Sequence, residues 1–238
     1  MKFEGLEKKE IFVNRKKYIF YIKSRENFGQ DGYSYMSSNA TIYVDDEDNI
    51  INIFPGRFVY LDENVLTIKD DMGDHNSYYD IDTGELLITE YDKVGRCYSA
   101  FENGIALIYD NNIHNYHIMT VNGEIGDCDW LYRIGKKSLL VHKNRSDKTL
   151  SLYDYKMNLI KKDVTLIYDN ISVNHECFIC CIKNNREEYY LCDYMGNIIT
   201  DRFAKIEAKD RYNMQEITVE EQNTGIKKTV NYSDLINK

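Results

Sequence analysis

The chain has 238 residues, of which 43% are hydrophobic and 29% are charged, so it can build a packed core and is not a disordered polymer. Its 30 lysines and arginines against 39 aspartates and glutamates give a net charge of −9, which disfavours nucleic acid as a partner. The segment Met1–Lys8 lacks the apolar core of a signal peptide, and no apolar run is long enough to span a bilayer. We therefore expect a cytoplasmic protein with no membrane partner.

The chain begins with a predicted hairpin over Glu10–Ile22, and a single pattern then recurs along the rest of it. Each copy has alternating apolar and polar residues, a small turn and an apolar pair. The copies span residues 41–51, 77–87, 116–125, 150–160 and 189–199, with a weaker sixth copy at 217–230. Because alternation places one face of a strand inward and Gly or Asn tolerates a positive φ in a turn, each copy predicts a β-hairpin.

The turns of these copies recur about every 37 residues. Their aligned turn residues are Asp48, Gly84, Gly123, Met157 and Gly196, with Gly225 in the weaker copy. An aromatic residue and a further strand-like run follow most turns, so each unit contains about four short strands and no helical period. Four strands in this length are typical of a propeller blade.

We predict an all-β fold, a β-propeller of about six four-stranded blades forming a single repeat domain over residues 1–238. The predicted units are 1–51, 52–87, 88–126, 127–160, 161–199 and 200–238. The last unit looks one strand short, so the N-terminal strand is expected to pair with it, close the ring and remove exposed edges. A five-bladed propeller and an open β-solenoid are the alternatives. In all of these the units stack, because none can bury its apolar face alone.

Part of the chain resembles the bacterial WG-repeat (KWG) family. The residues that carry the likeness are Tyr91–Gly95 (YDKVG), Phe101–Ile108 (FENGIALI) and Val121–Ile125 (VNGEI). Tyr116–His117 stands where the family has its Trp-Gly pair, and the other units match only a shorter part of the pattern. The likeness covers residues 40–210. It implies a β-repeat binding module without a shared catalytic residue, and so it implies no site residues for this chain.

Two motifs contain metal-ligand residue types. His175, Cys177 and Cys180 include one Cys-x-x-Cys spacing, but a structural zinc site usually pairs two such knuckles in loops, and these cysteines lie in a strand-like run. Asp80–Glu85 contains a fragment of a calcium loop with too few oxygen ligands, and aspartates in turns usually bond their own backbone. We therefore expect no metal, no cofactor, and free buried thiols.

No motif in the chain indicates a catalytic mechanism. His114 and His117 are predicted to be an exposed pair in or beside a turn. The chain has no Gly-x-Ser-x-Gly elbow, phosphate-binding glycine loop or dinucleotide fingerprint. An enzyme is therefore less expected than a binding protein.

Aromatic residues supply the candidate binding surface. Tyr60, Trp130 and Tyr132 are the candidate binding residues, because aromatic side chains add contact area at little cost in entropy. The aromatics that recur after the turns are expected to wedge neighbouring units together instead. These are Phe58, Tyr91, Tyr168 and Phe203. The expected function is a non-enzymatic scaffold that binds another protein through one face of a propeller. The alternatives are a carbohydrate-active or small-ligand enzyme working in a central channel, with carbohydrate as the possible partner, and a structural assembly component.

Overall fold

A computed structural model of the chain describes residues 3–23, 39–69, 75–87, 95–97, 99–110, 112–166, 173–174, 176–183, 187–210 and 214–236. These residues form antiparallel strands and one short helix, α1 (Tyr232–Ile236), which confirms the predicted all-β class. No helix in this part of the chain is long and apolar enough to cross a membrane. The chain divides into two compact units, Met1–Gly126 and Asp127–Lys238.

The first unit contains three antiparallel sheets, each built from strands that are consecutive in the chain. The first sheet consists of β1 (Glu7–Val13), β2 (Lys16–Lys23), β3 (Ala40–Val44) and β4 (Ile50–Pro55). The second consists of β5 (Arg57–Asp62), β6 (Val65–Lys69) and β7 (Asn76–Asp80), with a bridge from Tyr79 to Leu86 beyond the turn. The third consists of β8 (Gly95–Cys97), β9 (Ala106–Asp110), β10 (Asn115–Thr120) and β11 (Gly123–Cys128), which ends just past the division.

The second unit contains three more sheets of the same kind. The fourth sheet consists of β12 (Trp130–Ile134), β13 (Ser138–His142), β14 (Thr149–Tyr153) and β15 (Leu159–Leu166). The fifth consists of β16 (Cys177–Lys183) and β17 (Glu187–Asp193), extended by bridges from Phe178 to Val173, Cys192 to Ile198 and Tyr189 to Phe203. The sixth consists of β18 (Lys205–Ala208), β19 (Glu216–Glu220) and β20 (Lys227–Asn231). Within the described residues, three of the six sheets have the four strands predicted for every unit. The predicted unit boundaries remain a prediction.

The N-terminal strand is predicted to pair with the last unit and close a ring. In the structure it pairs within the first sheet instead. β1 pairs with β2, and Ile19 of β2 pairs in turn with Val44 of β3. The opening hairpin therefore belongs to the first sheet. Its second strand, β2, lies between β1 and β3 and is buried over Tyr18–Phe20. No sheet formed by the described residues closes on itself.

The predicted hairpin turns are confirmed by the backbone. All six aligned turn residues adopt a left-handed φ: Asp48 (60°), Gly84 (77°), Gly123 (115°), Met157 (62°), Gly196 (77°) and Gly225 (64°). An aspartate at the start of the turn often stabilises it. The Oδ1 atom of Asp154 accepts hydrogen bonds from the backbone N–H of Lys156 and of Asn158, both at 2.8 Å. Asp193 and Asp45 hold their turns in the same way.

The core of the first unit lies between its sheets. Phe20 of the first sheet contacts Phe58 of the second, with ring centroids 5.1 Å apart, in a cluster that also buries Leu66 and Ile68. On the opposite face of the second sheet, Val65 packs with residues of the third sheet. The second sheet is thus buried on both faces, because successive residues of β6 point to opposite sides.

The core of the second unit follows the same plan. Phe178 and Cys180 of the fifth sheet pack in a cluster with residues of the fourth, including Leu140 and Leu152. Cys177 and Leu191 face the other way, into a cluster with residues of the sixth sheet. Within each unit, consecutive sheets stack face to face, as expected for repeats that cannot bury their apolar side alone.

A glycine permits the close passage between the first two sheets. Gly56 follows β4 directly and has a φ of 116°. A Cβ atom at this position would lie 2.3 Å from the carbonyl oxygen of Lys69 and 2.7 Å from Cγ2 of Ile68. No other residue type avoids this clash, so Gly56 sets how the chain passes from one sheet to the next.

Candidate functional site

The three predicted binding aromatics do not lie at either cleft described below. Tyr60 lies on β5 of the first unit with 38% of its surface exposed, and Trp130 begins β12 of the second unit with 36% exposed. Tyr132 is half-buried and packs against the core cluster of the fourth and fifth sheets. The clefts in the second unit are lined by other residues. These aromatics therefore remain predicted binding residues.

The recurrent aromatics that the structure describes have structural positions. Phe58 is buried in the cluster between the first and second sheets, and Phe203 packs against the cluster between the fifth and sixth. Tyr91, Tyr168 and the candidate zinc ligand His175 lie outside the described residues.

The cysteine-rich strand is part of the core. Cys177, Cys180 and Cys181 lie on β16 and are buried as free cysteines, as predicted. Burial raises the pKa of the Cys177 thiol to about 12, as expected for a thiol in an apolar core. Among the described residues, no group of three His, Cys, Asp or Glu side chains is placed to hold a metal.

The carboxylate of Asp80 accepts hydrogen bonds from residues of its own sheet and turn. Oδ1 of Asp80 accepts hydrogen bonds from the N–H groups of Asp82 (3.0 Å) and Thr83 (2.8 Å), and Oδ2 accepts one from Nδ2 of Asn64. Burial alone would raise the pKa of Asp80, but these hydrogen bonds outweigh it and lower the pKa below its usual value. The calcium-like sequence is explained by this turn.

The prediction of an exposed histidine pair is wrong for His117. His114 is in the turn before β10, where its Nδ1 lies 3.1 Å from the hydroxyl of Tyr109. His117 lies on β10 and is largely buried, with Nδ1 3.1 Å from Glu124 and Nε2 3.5 Å from Asp110. The repeat over residues 116–125 already places His117 in a strand, but the carboxylates that cover it, those of Asp110 and Glu124, lie on the neighbouring strands β9 and β11.

A second histidine cluster has no sequence signal. Nδ1 of His142 lies 2.9 Å from a carboxylate oxygen of Asp129, and its Nε2 lies 3.2 Å from the carbonyl oxygen of Asp147. Arg145 donates from Nε to the other carboxylate oxygen of Asp129. Both ring nitrogens therefore lie within 3.2 Å of oxygen acceptors from residues next to the strands of the fourth sheet.

Of two clefts lined by described residues, the larger lies in the second unit and has a volume of about 440 Å³. One side is formed by residues 200–203, which follow β17, and the other by residues 221–224, the turn between β19 and β20. Its apolar lining residues are Phe203, Val219, Val230 and Leu235. We refer to it below as the 200/222 cleft. An apolar lining with a polar rim is the usual composition of a recognition site.

The two cations at the 200/222 cleft are already neutralised. Nζ of Lys228 lies 2.7 Å from Oε1 of Glu221, whose Oε2 accepts a hydrogen bond from the Thr224 hydroxyl at 2.9 Å. Arg202 pairs with Glu188. By contrast, the exposed Asp201 carboxylate at the rim has no hydrogen-bond or ion-pair partner among the residues that the structure describes. The uncompensated charge at this cleft is negative.

A second cleft in the same unit is smaller and more polar. It has a volume of about 290 Å³, and its rim carries Lys143, Lys148 and Lys162 together with Asp147 and Asp163. Asp163 accepts a hydrogen bond from the Thr149 hydroxyl. Because charges of both signs alternate around few apolar side chains, it has less to offer a ligand than the 200/222 cleft.

Comparison with known proteins gives a distant structural likeness only. No family model matches the chain, and no curated protein matches it. The solved structures that are similar to it include the following two. One, described as KlHsv2 with loop 6CD replaced by a Gly-Ser linker, is 12% identical, has a TM-score of 0.43, and is matched over 95% of this chain and 81% of its own. The other is Hsv2 of Kluyvelomyces marxianus, 10% identical with a TM-score of 0.43, matched over 94% of this chain and 80% of its own.

Proposed function

We propose that this chain is a non-enzymatic binding module that takes an extended segment of another protein in the 200/222 cleft. The observation that carries the proposal is the cleft itself, in which apolar side chains are framed by two segments rich in polar residues. Protein interfaces have the same arrangement of an apolar centre and a polar rim.

The charge distribution defines the partner. Lys228 and Arg202 are each neutralised by a glutamate, whereas Asp201 has no such partner in the described part of the chain. The net charge of −9 adds a long-range attraction for cations. We therefore expect a partner segment with an apolar side chain for the centre of the cleft and a neighbouring Lys or Arg for Asp201.

The histidine contacts favour binding over catalysis. His142 lies between the side chain of Asp129 and the carbonyl oxygen of Asp147, and His117 lies between the carboxylates of Asp110 and Glu124. A general base needs a nitrogen free to face the substrate. These two histidines therefore act as structural links between strands.

The architecture we propose is a β-propeller in which the six sheets are the blades. The successive antiparallel sheets, the recurrent turn and the face-to-face stacking within each unit support it. We also propose a divergent relationship to the WG-repeat family on the residues given above. Small-angle scattering tests the ring, since a compact chain of this length has a radius of gyration of about 18 Å and an open solenoid has a larger one.

The binding proposal is tested with a random peptide library displayed on phage and selected on the purified chain. We expect enriched peptides to combine apolar and basic residues. In titrations with a synthetic peptide, Asn223→Arg should abolish binding, because it adds bulk and positive charge to the cleft. Asp201→Asn should weaken binding by about two- to fivefold, the range of an exposed ion pair.

Two control variants separate the cleft from general effects. Asn122→Arg makes the same change in the turn between β10 and β11, and Glu47→Gln removes one exposed carboxylate from the first unit; both should bind like the wild type. A selection that enriches no common peptide, or peptides whose binding is unchanged by Asn223→Arg, would contradict the proposal.

A further inference from the structure

Two buried cysteines of the fifth sheet lie closer together than non-bonded atoms normally do. The Sγ atoms of Cys180 and Cys192 are 2.9 Å apart. Non-bonded carbon atoms rest at about 3.5–4.0 Å, and sulfur is the larger atom. A disulfide needs a separation of about 2.05 Å, so only a small shift of the two side chains divides the pair from a covalent bond.

The strand register explains the proximity. Cys180 pairs with Tyr190 across β16 and β17, and Phe178 pairs with Cys192. The two cysteines are therefore diagonal neighbours on one face of the hairpin, and strand twist brings one of the two diagonals together. Both side chains point into the cluster between the fourth and fifth sheets. Cys177, on the same strand, packs in the cluster on the opposite face.

We propose that Cys180 and Cys192 are a disulfide-forming pair that links β16 to β17 when the chain meets a disulfide oxidant such as oxidised glutathione. A thiolate of one cysteine attacks the oxidant, releasing one molecule of glutathione and forming a mixed disulfide. The thiolate of the other cysteine then displaces the second glutathione. The two cysteines lose two protons and two electrons, and the oxidant is reduced to two thiols.

Burial determines when the reaction takes place. Both thiols are buried, and burial together with the neighbouring Cys192 raises the pKa of Cys180, so the folded chain holds little of the thiolate that reacts. We therefore expect slow oxidation of the folded chain and rapid oxidation while the β16–β17 hairpin is open, as during folding. The same burial shields the formed disulfide from reduction.

The test compares three samples of the full chain. One is refolded from urea in a buffer of oxidised and reduced glutathione, one is refolded with a reductant, and one is incubated folded with oxidised glutathione. After alkylation and digestion without reduction, mass spectrometry should find a linked Cys180–Cys192 peptide pair in nearly all of the first sample. The second should contain none and the third little. Closing this short loop should raise the melting temperature of the first sample by about 5–10 °C over the second.

Variants identify the pair. Cys180→Ala and Cys192→Ala should each abolish the crosslink and the oxidant-dependent rise in melting temperature, whereas Cys177→Ser should keep both. The crosslink is detected by mass spectrometry in the wild-type chain. The proposal can therefore be tested even if one of the variants folds poorly. Complete alkylation of Cys180 and Cys192 in the first sample, or a predominant crosslink to Cys177 or Cys181, would overturn the proposal.

Discussion

Nζ of Lys161 donates a hydrogen bond to the carbonyl oxygen of Gly196 at 2.6 Å, joining the last strand of the fourth sheet to the turn of the fifth. The first unit repeats this relationship. Nδ2 of Asn52 donates to the carbonyl oxygen of Ile81 at 3.0 Å, at the turn of the second sheet. Lys161 and Asn52 each lie four positions after the aligned turn residue of their own hairpin, so the same repeat position ties a sheet to the turn of the next.

Lys161→Met should lower the free energy of unfolding by about 1 kcal/mol, the usual net value of a hydrogen bond. Methionine keeps most of the length of the side chain and removes the ammonium group, with its donor and its charge. Urea denaturation followed by circular dichroism measures the difference. Lys162→Met changes the neighbouring residue, which does not take part in this contact, and should be nearly neutral. Equal effects of the two substitutions would show that the Lys161 contact adds nothing.

Gly56→Ala should be strongly destabilising, by about 3 kcal/mol or more, because the new Cβ atom would overlap backbone atoms of Lys69. Gly123→Ala is the matched control, since Gly123 has nearly the same φ but nothing within 4 Å of the added atom. It should cost only about 1–2 kcal/mol, from the positive φ alone. The difference between the two unfolding free energies isolates the steric term, and a difference near zero would refute the close passage between the first two sheets.

Thr67→Val should cost about 1–3 kcal/mol, because it leaves a buried backbone donor without its acceptor. The Thr67 hydroxyl, on the second sheet, accepts a hydrogen bond at 3.0 Å from the N–H of Phe101, which packs in the cluster between the second and third sheets. Valine has the same shape, so packing is preserved. Thr67→Ser, which keeps the hydroxyl, should recover part of the stability. Hydrogen exchange of the Phe101 amide gives an independent measurement, and unchanged protection in Thr67→Val would contradict the contact.

The stability of the chain should depend on pH through His117. Burial lowers the pKa of His117, but Glu124 and Asp110 raise it more strongly, so the folded value lies above the ordinary 6.5. A raised pKa means that the folded chain binds the proton more tightly than the unfolded chain. The stabilisation is therefore fully present below about pH 6.5 and is lost as the pH rises through the folded pKa.

Melting temperatures of the wild type and His117→Gln, measured at half-unit steps from pH 5.5 to 8.5, test this dependence; the other titrating groups cancel in the difference. We expect the wild type to exceed the variant most at the acid end. If the melting temperature of the wild type exceeded that of His117→Gln by more as the pH rose, the predicted effect of His117 would be contradicted.

Local features of the fold could be predicted from the sequence. The turn residues Gly84, Met157 and Gly196 follow alternating strands, and all three adopt the positive φ that the pattern requires. These features depend on a few neighbouring residues, so a single copy contains the information and repetition reinforces it.

The exposure of the two apolar residues that follow each turn was harder to predict than the turns themselves. Leu159 and Ile198 are the first members of their pairs and are 54% and 47% exposed, which their apolar character alone does not indicate. Each comes directly after its turn, in the last strand segment of its sheet, which has a neighbour on one side only. Whether a side chain at such an edge is covered depends on packing outside the repeat.

The candidate cleft could not be predicted because it joins segments that are distant in the chain. Asp201 and Asn223 each look like an ordinary polar residue near a turn, and the sequence contains no sign that they share a rim. Stacking of the fifth and sixth sheets brings them together. The predicted aromatics Tyr60, Trp130 and Tyr132 were selected by residue type alone, which does not identify a concave surface.

The location of a bound peptide tests the account most directly. Hydrogen exchange of the full chain, measured by mass spectrometry with and without the selected peptide at saturation, reports where the peptide lies. We predict increased protection confined to segments containing residues 200–203 and 219–230. Protection centred on β5 or β12, around Tyr60 or Trp130, with no change at the 200/222 cleft, would contradict the proposed site.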